Sequence, residues 1–316
     1  MKTFITMTAL GLMAGTSFVN AADKPVVASI VFQGDQFMKS LQAGMRSAAE
    51  KAGAEILETN IDGDQAKESQ AIDTYIARKV NAIVIAPVSA KNSAAALKRA
   101  RDAGITVVAV NGGLTDDTIA QATFSTSNKD LGMSTGKAAG AFIKTTLAGK
   151  ANVAILGFKS LLPEQSGDRT GGFKTAAEAG NQVKIVTEQD AWLPEKAVSV
   201  ATDILTANPD VNVIYAANEG GTVGAMQAVR NAGKAGSVYV FGIDGSEQLA
   251  KGLMAKDDVL QAVTAQSPFD MGAAGVNAAL SILKGEKVEK QTTVPAILLS
   301  RAEPEGIKTF VESLKK

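Results

Sequence analysis

Two residue types that carry much of enzyme chemistry are missing from this chain. Its 316 residues include no cysteine and no histidine. Without histidine there is no Ser-His or Cys-His nucleophile pair, and the commonest general base and metal ligand is absent. Without cysteine there are no disulfides, although a chain of this length buries enough apolar surface to fold without them. The composition therefore argues against catalysis, and we expect no enzymatic activity, no cofactor and no metal site.

An excess of charge of one sign is also missing. Lysine and arginine number 32, and aspartate and glutamate number 32, so the formal net charge is +0 at pH 7. Such a balance offers nothing that would attract nucleic acid or an anionic membrane. Beyond the N-terminus, no run of about 18 apolar residues is long enough to cross a bilayer. We therefore expect a soluble mature protein with no nucleic-acid partner.

The N-terminal segment is typical of an export signal. Lys2 supplies the positive start and residues 4–19 are mostly apolar. Val19 and Ala21 occupy the −3 and −1 positions of a cleavage site after Ala21. The apolar part is short for a membrane span, so an N-terminal anchor is the weaker alternative. We predict a signal peptide over residues 1–21 and a periplasmic mature protein.

Short apolar runs of strand length alternate with helical periodicity through the rest of the chain. Strands that are apolar throughout and separated by helices indicate a parallel sheet covered on both faces. Residues 80–86 (VNAIVIA) resemble residues 211–217 (VNVIYAA), and each run is followed by a helix that ends in Ala-Gly and then by another strand. We predict an α/β protein with two similar doubly wound parallel-sheet lobes joined by a three-segment hinge.

We expect the chain to cross between the lobes near Ser127-Asn128, Gln266-Ser267 and Ala296-Ile297. The N-terminal lobe is then 22–127 plus 267–296, and the C-terminal lobe is 128–266 plus 297–316. The pattern also predicts a loop over Leu161–Gly167 and a single last strand over Val294–Leu299.

Polar side chains follow two neighbouring strands of the second predicted sheet. Asn218 comes after the run that ends at Ala217, and Asp244 after the run that ends at Ile243. Ligands bind at the carboxyl ends of strands in open parallel sheets, and a carboxylate and an amide there bind hydroxyl groups. The alternative is that Asn218 caps a helix and Asp244 fills a turn.

Asp62 and Asp64 also have two interpretations. They suggest a calcium loop, but the later acidic ligands of such a loop are missing. We interpret them as a helix entry, with acidic residues at the positive end of the helix dipole.

Four segments and an early Phe-containing turn carry a resemblance to a known family. The segments are LQAG at 41–44, ANEGGTVGAM at 217–226, FGIDGSE at 241–247 and TAQSPFDMGAAG at 264–275. With them, essentially the whole mature chain resembles the periplasmic sugar-binding proteins of ABC transporters, and most of all the ribose-binding branch. The resemblance implies the type I periplasmic binding protein fold, hinge closure on a sugar and delivery to a membrane permease. It allows a chemoreceptor as a further partner, and we expect a monomer.

The resemblance also implies site residues. Asn218, Asp244 and Gln266 correspond to residues that hydrogen-bond ligand hydroxyls from the second lobe. Phe37 and Trp192 match positions where aromatic rings flank the sugar, and packing in the core is the alternative for both.

The first lobe departs from the family pattern. Asn111 and Gly112 stand where the family often has Asp-Arg. Asn111 can still bind a hydroxyl, but glycine does not replace a bidentate guanidinium, which puts ribose itself in doubt. We expect a roomier and less charged first lobe. For Arg169, a structural ion pair is favoured over contact with the ligand.

We therefore predict capture of a small neutral sugar, a pentose or a hexose. A sugar alcohol or a furanose signal molecule is the alternative within the same role. A sugar-processing enzyme would need facing carboxylates, for which Asp244 and Glu219 are the candidates. The effector domain of a repressor shares this fold, but the export signal and the missing N-terminal helix-turn-helix argue against it.

Overall fold

The computed structural model describes residues 24–314. The predicted signal peptide, residues 1–21, lies outside this range. Between residues 24 and 314, no helix combines the length and the apolar character that a membrane crossing requires.

Strands and helices alternate along most of the described chain. The strands are β1 (Val26–Val31), β2 (Glu55–Asn60), β3 (Ala82–Ile85), β4 (Thr106–Val110), β5 (Ala122–Ser125), β6 (Lys150–Gly157), β7 (Gln182–Asp190), β8 (Val213–Ala216), β9 (Tyr239–Ile243), β10 (Leu260–Ala265), β11 (Gln291–Thr293) and β12 (Ile297–Ser300). The helices are α1 (Gln36–Lys51), α2 (Gln65–Ala77), α3 (Ala94–Asp102), α4 (Asn128–Thr146), α5 (Pro163–Ala177), α6 (Pro194–Ala207), α7 (Glu219–Asn231), α8 (Glu247–Met254), α9 (Pro268–Leu283) and α10 (Pro304–Ser313).

The strands form two six-stranded sheets with matching order. The first runs β11-β5-β4-β3-β1-β2 and the second runs β12-β10-β9-β8-β6-β7. Neighbouring strands pair in parallel except at the edge of the second sheet, where β12 is antiparallel to β10. Both sheets have helices on their two faces, which confirms the predicted pair of doubly wound sheets. The two similar sequence runs form β3 and β8, which hold the same place in their sheets.

The chain passes between the sheets three times. It leaves the first sheet after β5, returns after β10, and crosses again between β11 and β12. Helix α4 packs on α5 and β10, whereas α9 packs on α1 and β4 of the first sheet. This packing supports the predicted lobes, 22–127 plus 267–296 and 128–266 plus 297–316, and that division is our proposal.

Glycines allow close helix pairs in both lobes. Helices α1 and α9 meet at Gly44 and Gly272, where an added Cβ would lie 1.9 Å from the Phe269 carbonyl oxygen and 2.1 Å from that of Leu41, respectively. Helices α4 and α5 meet in the same way at Gly132 and Gly172. Any larger residue at these positions would push the two helices apart.

Two local predictions were wrong. The predicted loop over Leu161–Gly167 is helical from Pro163, because proline lacks only an N–H that the first turn of a helix leaves unpaired. The predicted single strand over Val294–Leu299 begins later than expected: residues 294–296 belong to no strand and β12 starts at Ile297 in the second sheet, whereas β11 of the first sheet ends at Thr293. Pro295 lies in the gap between them, and a proline cannot donate to a strand ladder.

Two other details concern helix starts. Helix α8 was not predicted from the sequence. It begins after Ser246, whose side chain accepts a hydrogen bond from the backbone N–H of Leu249. The side chain of Asp64 accepts hydrogen bonds from the backbone N–H groups of Ala66 and Lys67 at the start of α2. This confirms the helix entry predicted there.

Candidate ligand-binding site

A cavity lies between the strand ends of the two sheets. All six residues that the sequence singles out lie on its wall. The first-lobe wall comprises Phe32, Gln33, Asp35, Phe37, Met38 and Asn111, and the other wall comprises Phe158, Leu161, Leu162, Gln165, Arg169, Trp192, Asn218, Asp244 and Gln266. The fold therefore brings together, in one cavity, side chains that are far apart in the sequence.

Asn111 and Asp244 occupy equivalent places in the two sheets. They directly follow β4 and β9, and their φ angles are 63° and 73°. Asparagine and aspartate tolerate this left-handed backbone better than other residues with a Cβ. Each is only 5 % exposed. The turn thus directs a short polar side chain into the space between the sheets from each lobe.

The carboxylate of Asp244 is held from three sides. The side-chain amide of Gln266 donates to its Oδ1 at 2.7 Å, and the backbone N–H of Glu219 donates to its Oδ2 at 3.2 Å. A guanidinium nitrogen of Arg169 lies 3.7 Å from the same Oδ2. Asp244 is therefore fixed in position, with its negative charge partly balanced, before any ligand arrives.

Arg169 is buried and engaged by the protein itself. Its Nε donates to the side-chain oxygen of Asn128 and its Nη1 to the carbonyl of Ala217, both at 2.8 Å. The guanidinium carbon lies 5.4 Å from the ring centroid of Phe158. Together with the ion pair to Asp244, these contacts agree with the structural role favoured from the sequence, although Arg169 also lines the cavity.

Asn218 both caps a helix and lines the cavity. Its Oδ1 accepts from the backbone N–H of Gly221 at 3.1 Å, so the helix-cap interpretation is confirmed. Its Nδ2 donates to the carbonyl of Trp192 at 2.9 Å, which ties the two residues together. The amide retains one N–H and one lone pair for a further partner.

The two aromatic residues approach the cavity from different lobes. Phe37 lies in the first turn of α1 and is 8 % exposed, so it packs in the core of the first lobe and also contributes to the wall. Trp192 follows β7 and is half-buried. Their role in binding stays a prediction, with the geometry that it requires in place.

Asn111 contains a polar atom that the protein leaves unsatisfied. Its backbone N–H donates to the carbonyl of Phe124 at 2.8 Å. Its side-chain Oδ1 is buried, and no residue in the range 24–314 donates to it. A buried acceptor without a donor costs about 1–3 kcal/mol. The atom therefore favours a donor that arrives from the cavity, such as a hydroxyl group.

Sequence reasoning missed one carboxylate. Asp35 follows β1, caps α1 through the backbone N–H of Met38 at 2.8 Å, and accepts from Gln33 Nε2 at 2.5 Å. Burial raises the pKa of Asp35, the hydrogen bond from Met38 opposes this, and the charge of Asp244 adds to the rise. Its place in the turn after β1 was the available signal, although residues 32–34 separate it from the end of the strand.

Among the carboxyl groups around the site, that of Glu219 has the most strongly shifted pKa. Burial raises its pKa to about 7, a hydrogen bond from Ser246 opposes the rise, and the charges of Asp244 and Asp35 add to it. Its own side chain is buried beside the cavity and does not belong to the wall.

This pKa predicts a loss of stability between pH 5 and pH 8. A carboxyl whose pKa is raised on folding binds its proton more tightly in the native state, so its contribution is complete below its unfolded pKa and disappears as the pH rises through 7. A rise from about 4.5 to about 7 corresponds to about 3 kcal/mol. In Glu219→Gln, thermal unfolding should show a smaller decrease in melting temperature from pH 5 to pH 8 than in wild type. Equal decreases in both proteins would show that Glu219 titrates normally.

The comparisons with known proteins agree with this geometry. The profile of the family described as periplasmic binding protein domain matches residues 26–287. The D-allose-binding periplasmic protein of Escherichia coli is 31% identical over 291 residues, 89% of this chain and 91% of that protein. The ribose import binding protein RbsB of Salmonella typhimurium is 30% identical over 297 residues, 93% of this chain and 97% of that protein.

Solved structures show the same architecture. An ABC transporter solute-binding protein from Agrobacterium vitis with bound D-fucose has a TM-score of 0.80 at 29% identity, covering 89% of this chain and 98% of that one. A periplasmic solute-binding protein from Actinobacillus succinogenes with bound D-allose has a TM-score of 0.80 at 25% identity, covering 90% of this chain and 100% of that one.

Proposed function

Because this chain belongs to the periplasmic binding protein family, we propose that it captures a small sugar between its lobes and delivers it to an ABC transporter permease. One observation carries the proposal. A single cavity is lined by polar and aromatic side chains from the ends of strands in both sheets. The related proteins named for allose and ribose, and the similar structure with bound D-fucose, support a pentose or a hexose as the ligand class.

The chemistry of the wall suits a neutral polyhydroxylated ring. Asp244 accepts hydrogen bonds from hydroxyls, while the amides of Asn111, Asn218 and Gln266 both donate and accept. The C–H faces of a sugar are apolar, so flat side chains cover them. Among the described wall residues Arg169 is the one cation, and it is already bonded to the protein. A carboxylate or a phosphate on the ligand would therefore find no free cationic side chain to balance its negative charge.

Hinge closure is the mechanism we propose. The chain connects the sheets at three places, so that the lobes can rotate about these segments. A ligand that contacts both walls binds the closed form more tightly than the open form. This difference in affinity shifts the population toward closure, and the permease recognises the closed form.

We also propose that the protein acts in the periplasm, as a monomer, and without enzymatic activity. The relatives are periplasmic binding proteins. The acid pair suggested by the sequence, Asp244 and Glu219, does not face across the cavity, because Glu219 donates its backbone N–H to Asp244 from the same lobe and lies off the wall. Asp35 lies on the opposite wall, but its carboxylate is engaged as the cap of α1 and by the side chain of Gln33. Glycoside hydrolysis needs two carboxyl groups on opposite sides of the scissile bond.

Thermal unfolding against a ligand panel tests the proposed function. The mature protein is heated alone and with pentoses, hexoses, polyols and amino acids, each near millimolar concentration. A ligand at about a thousand times its dissociation constant adds about 4 kcal/mol, which raises the melting temperature by several degrees. We expect this rise with at least one sugar. A rise with amino acids alone would refute the sugar proposal, and a rise with polyols alone would redirect it to sugar alcohols.

The single tryptophan should report the binding directly. Trp192 is the one Trp in the sequence and it lines the cavity. A sugar that covers its ring replaces water there, so the intensity or the emission maximum should change and saturate with the ligand. In Trp192→Phe, the aromatic face is kept and binding measured by calorimetry should weaken less than in Trp192→Ala. Saturable binding with no change in Trp192 emission would place the ligand elsewhere.

A further inference from the structure

A second cavity lies directly beside the first. It is bounded by the loops that follow β3 and β4, by the crossing after β5 and by the start of α5. Its wall shares Asn111, Leu161, Leu162 and Gln165 with the first cavity. The two spaces are therefore adjacent parts of one cleft between the lobes.

Three buried side-chain oxygens on this wall have no partner among residues 24–314. They are Oδ1 of Asn111, which borders both cavities, and Oε1 of Gln65 and Oγ1 of Thr126, which border the second. Asn111 and Thr126 are 5 % and 4 % exposed. Unsatisfied buried groups are rare in folded proteins. Three on one wall point to a hydroxylated occupant of this space.

The wall also restricts the charge of that occupant. Of the described residues that form it, none is lysine or arginine, whereas Glu164 and Asp168 both belong to it. A phosphate or carboxylate group would meet these two carboxylates and no cationic side chain. A neutral group with hydroxyls fits the polar side chains that remain, which include Ser89, Asn92 and Gln165.

Two adjacent glycines keep the second cavity open. Gly112 and Gly113 follow Asn111 on its wall. An added Cβ at Gly113 would meet only Thr123 Cγ2, at the ordinary contact distance of 3.7 Å. Neither backbone requires a glycine, because neither residue has a left-handed φ. A leucine at Gly113 would therefore strain no backbone, and because Gly113 lies on this wall we expect it to take up part of the cavity.

Building on the proposed function, we propose that the second cavity is a subsite for a further neutral hydroxylated ring. One ring of the ligand occupies the first cavity against Asp244 and Trp192, and the second ring lies against Thr126 and the two glycines. The preferred ligand is then a disaccharide or another neutral glycoside, and a sugar phosphate is rejected.

Isothermal titration calorimetry on the mature protein tests this proposal. The probes are hexoses and pentoses, disaccharides of these sugars in several linkages, their methyl glycosides, and hexose phosphates. We expect at least one disaccharide or glycoside to bind at least tenfold more tightly than its parent monosaccharide, and the phosphates to bind more weakly than either.

Two variants locate the second ring. Gly113→Leu should remove the tenfold preference while monosaccharide affinity changes less than twofold. Thr126→Val removes a hydroxyl that has no protein partner, so the melting temperature should hold or rise while disaccharide affinity falls severalfold. Gly171→Leu is the matched control, because Gly171 is exposed on α5 with nothing within 4 Å of an added Cβ.

The outcomes separate this proposal from the function on which it rests. A monosaccharide that binds most tightly, with no effect of Gly113→Leu or Thr126→Val on any disaccharide, would overturn the subsite and leave sugar capture intact; the second cavity would then hold only water. No binding of any carbohydrate would overturn both. A preference for phosphates would contradict the charge argument and with it the proposed ligand class.

Discussion

Asp244→Asn is expected to weaken sugar binding at least about 30-fold, equivalent to about 2 kcal/mol. The substitution keeps the shape of the side chain, and asparagine tolerates the φ of 73° at this position. It removes the negative charge that accepts a ligand hydroxyl, and hydrogen bonds to charged groups contribute about 1.5–3 kcal/mol. Calorimetric titration of wild type and variant with the tightest sugar of the panel gives the ratio.

Asp258→Asn is the control for this experiment. Asp258 also has a left-handed φ, 57°, and also lies near an arginine, with its Oδ1 3.3 Å from Arg301 Nε. It is exposed and does not belong to either cavity wall. The affinity of Asp258→Asn for the sugar should match that of wild type within twofold. If both variants bind as wild type does, Asp244 is no ligand contact and its carboxylate serves the turn alone.

Gly172→Ala and its neighbour Gly171→Ala should change stability in opposite directions. Both glycines lie in α5. A Cβ at Gly172 would lie 2.4 Å from the Lys129 carbonyl oxygen, so α4 and α5 would have to separate. Overpacking of this kind costs about 1–3 kcal/mol. At Gly171 a Cβ meets nothing within 4 Å, and alanine in a helix is favoured over glycine by about 0.5–1 kcal/mol.

Thermal unfolding followed by circular dichroism measures this difference. A change of 1 kcal/mol moves the melting temperature by roughly 2–4 °C in domains of this size. Gly172→Ala should therefore melt several degrees below wild type and Gly171→Ala slightly above it. The close contact between α1 and α9 at Gly44 leads us to expect the same loss of stability for Gly44→Ala in the other lobe. A Gly172→Ala protein as stable as wild type would mean that the helices adjust without cost.

The fold could be predicted because the strands are apolar on both faces. Runs such as Thr106–Val110 and Leu260–Ala265 are buried throughout, and only a sheet covered by helices on both sides explains them. The repeat of residues 80–86 at 211–217 indicated two sheets of similar order. The ends of helices and strands were harder to predict, because the same residue type had different effects. Pro163 begins a helix, whereas Pro295 lies between two strands.

The site was predictable where a polar residue directly follows an apolar strand. Asn111, Asn218 and Asp244 all satisfy that rule, and all three line the cavity. Asp35 does not, because residues 32–34 separate it from the end of β1, and the sequence therefore indicated only a turn there although Asp35 also lies on the wall. The second cavity arises where the start of α5 lies opposite the loops that follow β3 and β4. Contacts of that kind depend on the tertiary structure and leave no local pattern.

Small-angle X-ray scattering with and without the tightest sugar tests the central claim most directly. A compact chain with the length of the described part has a radius of gyration of about 19 Å. If the sugar is enclosed between both lobes, saturating ligand should lower the measured radius of gyration in wild type. Asp244→Asn should show the same decrease only at higher sugar concentration. Saturable sugar binding with an unchanged radius of gyration would contradict closure, and the ligand would then contact one lobe alone.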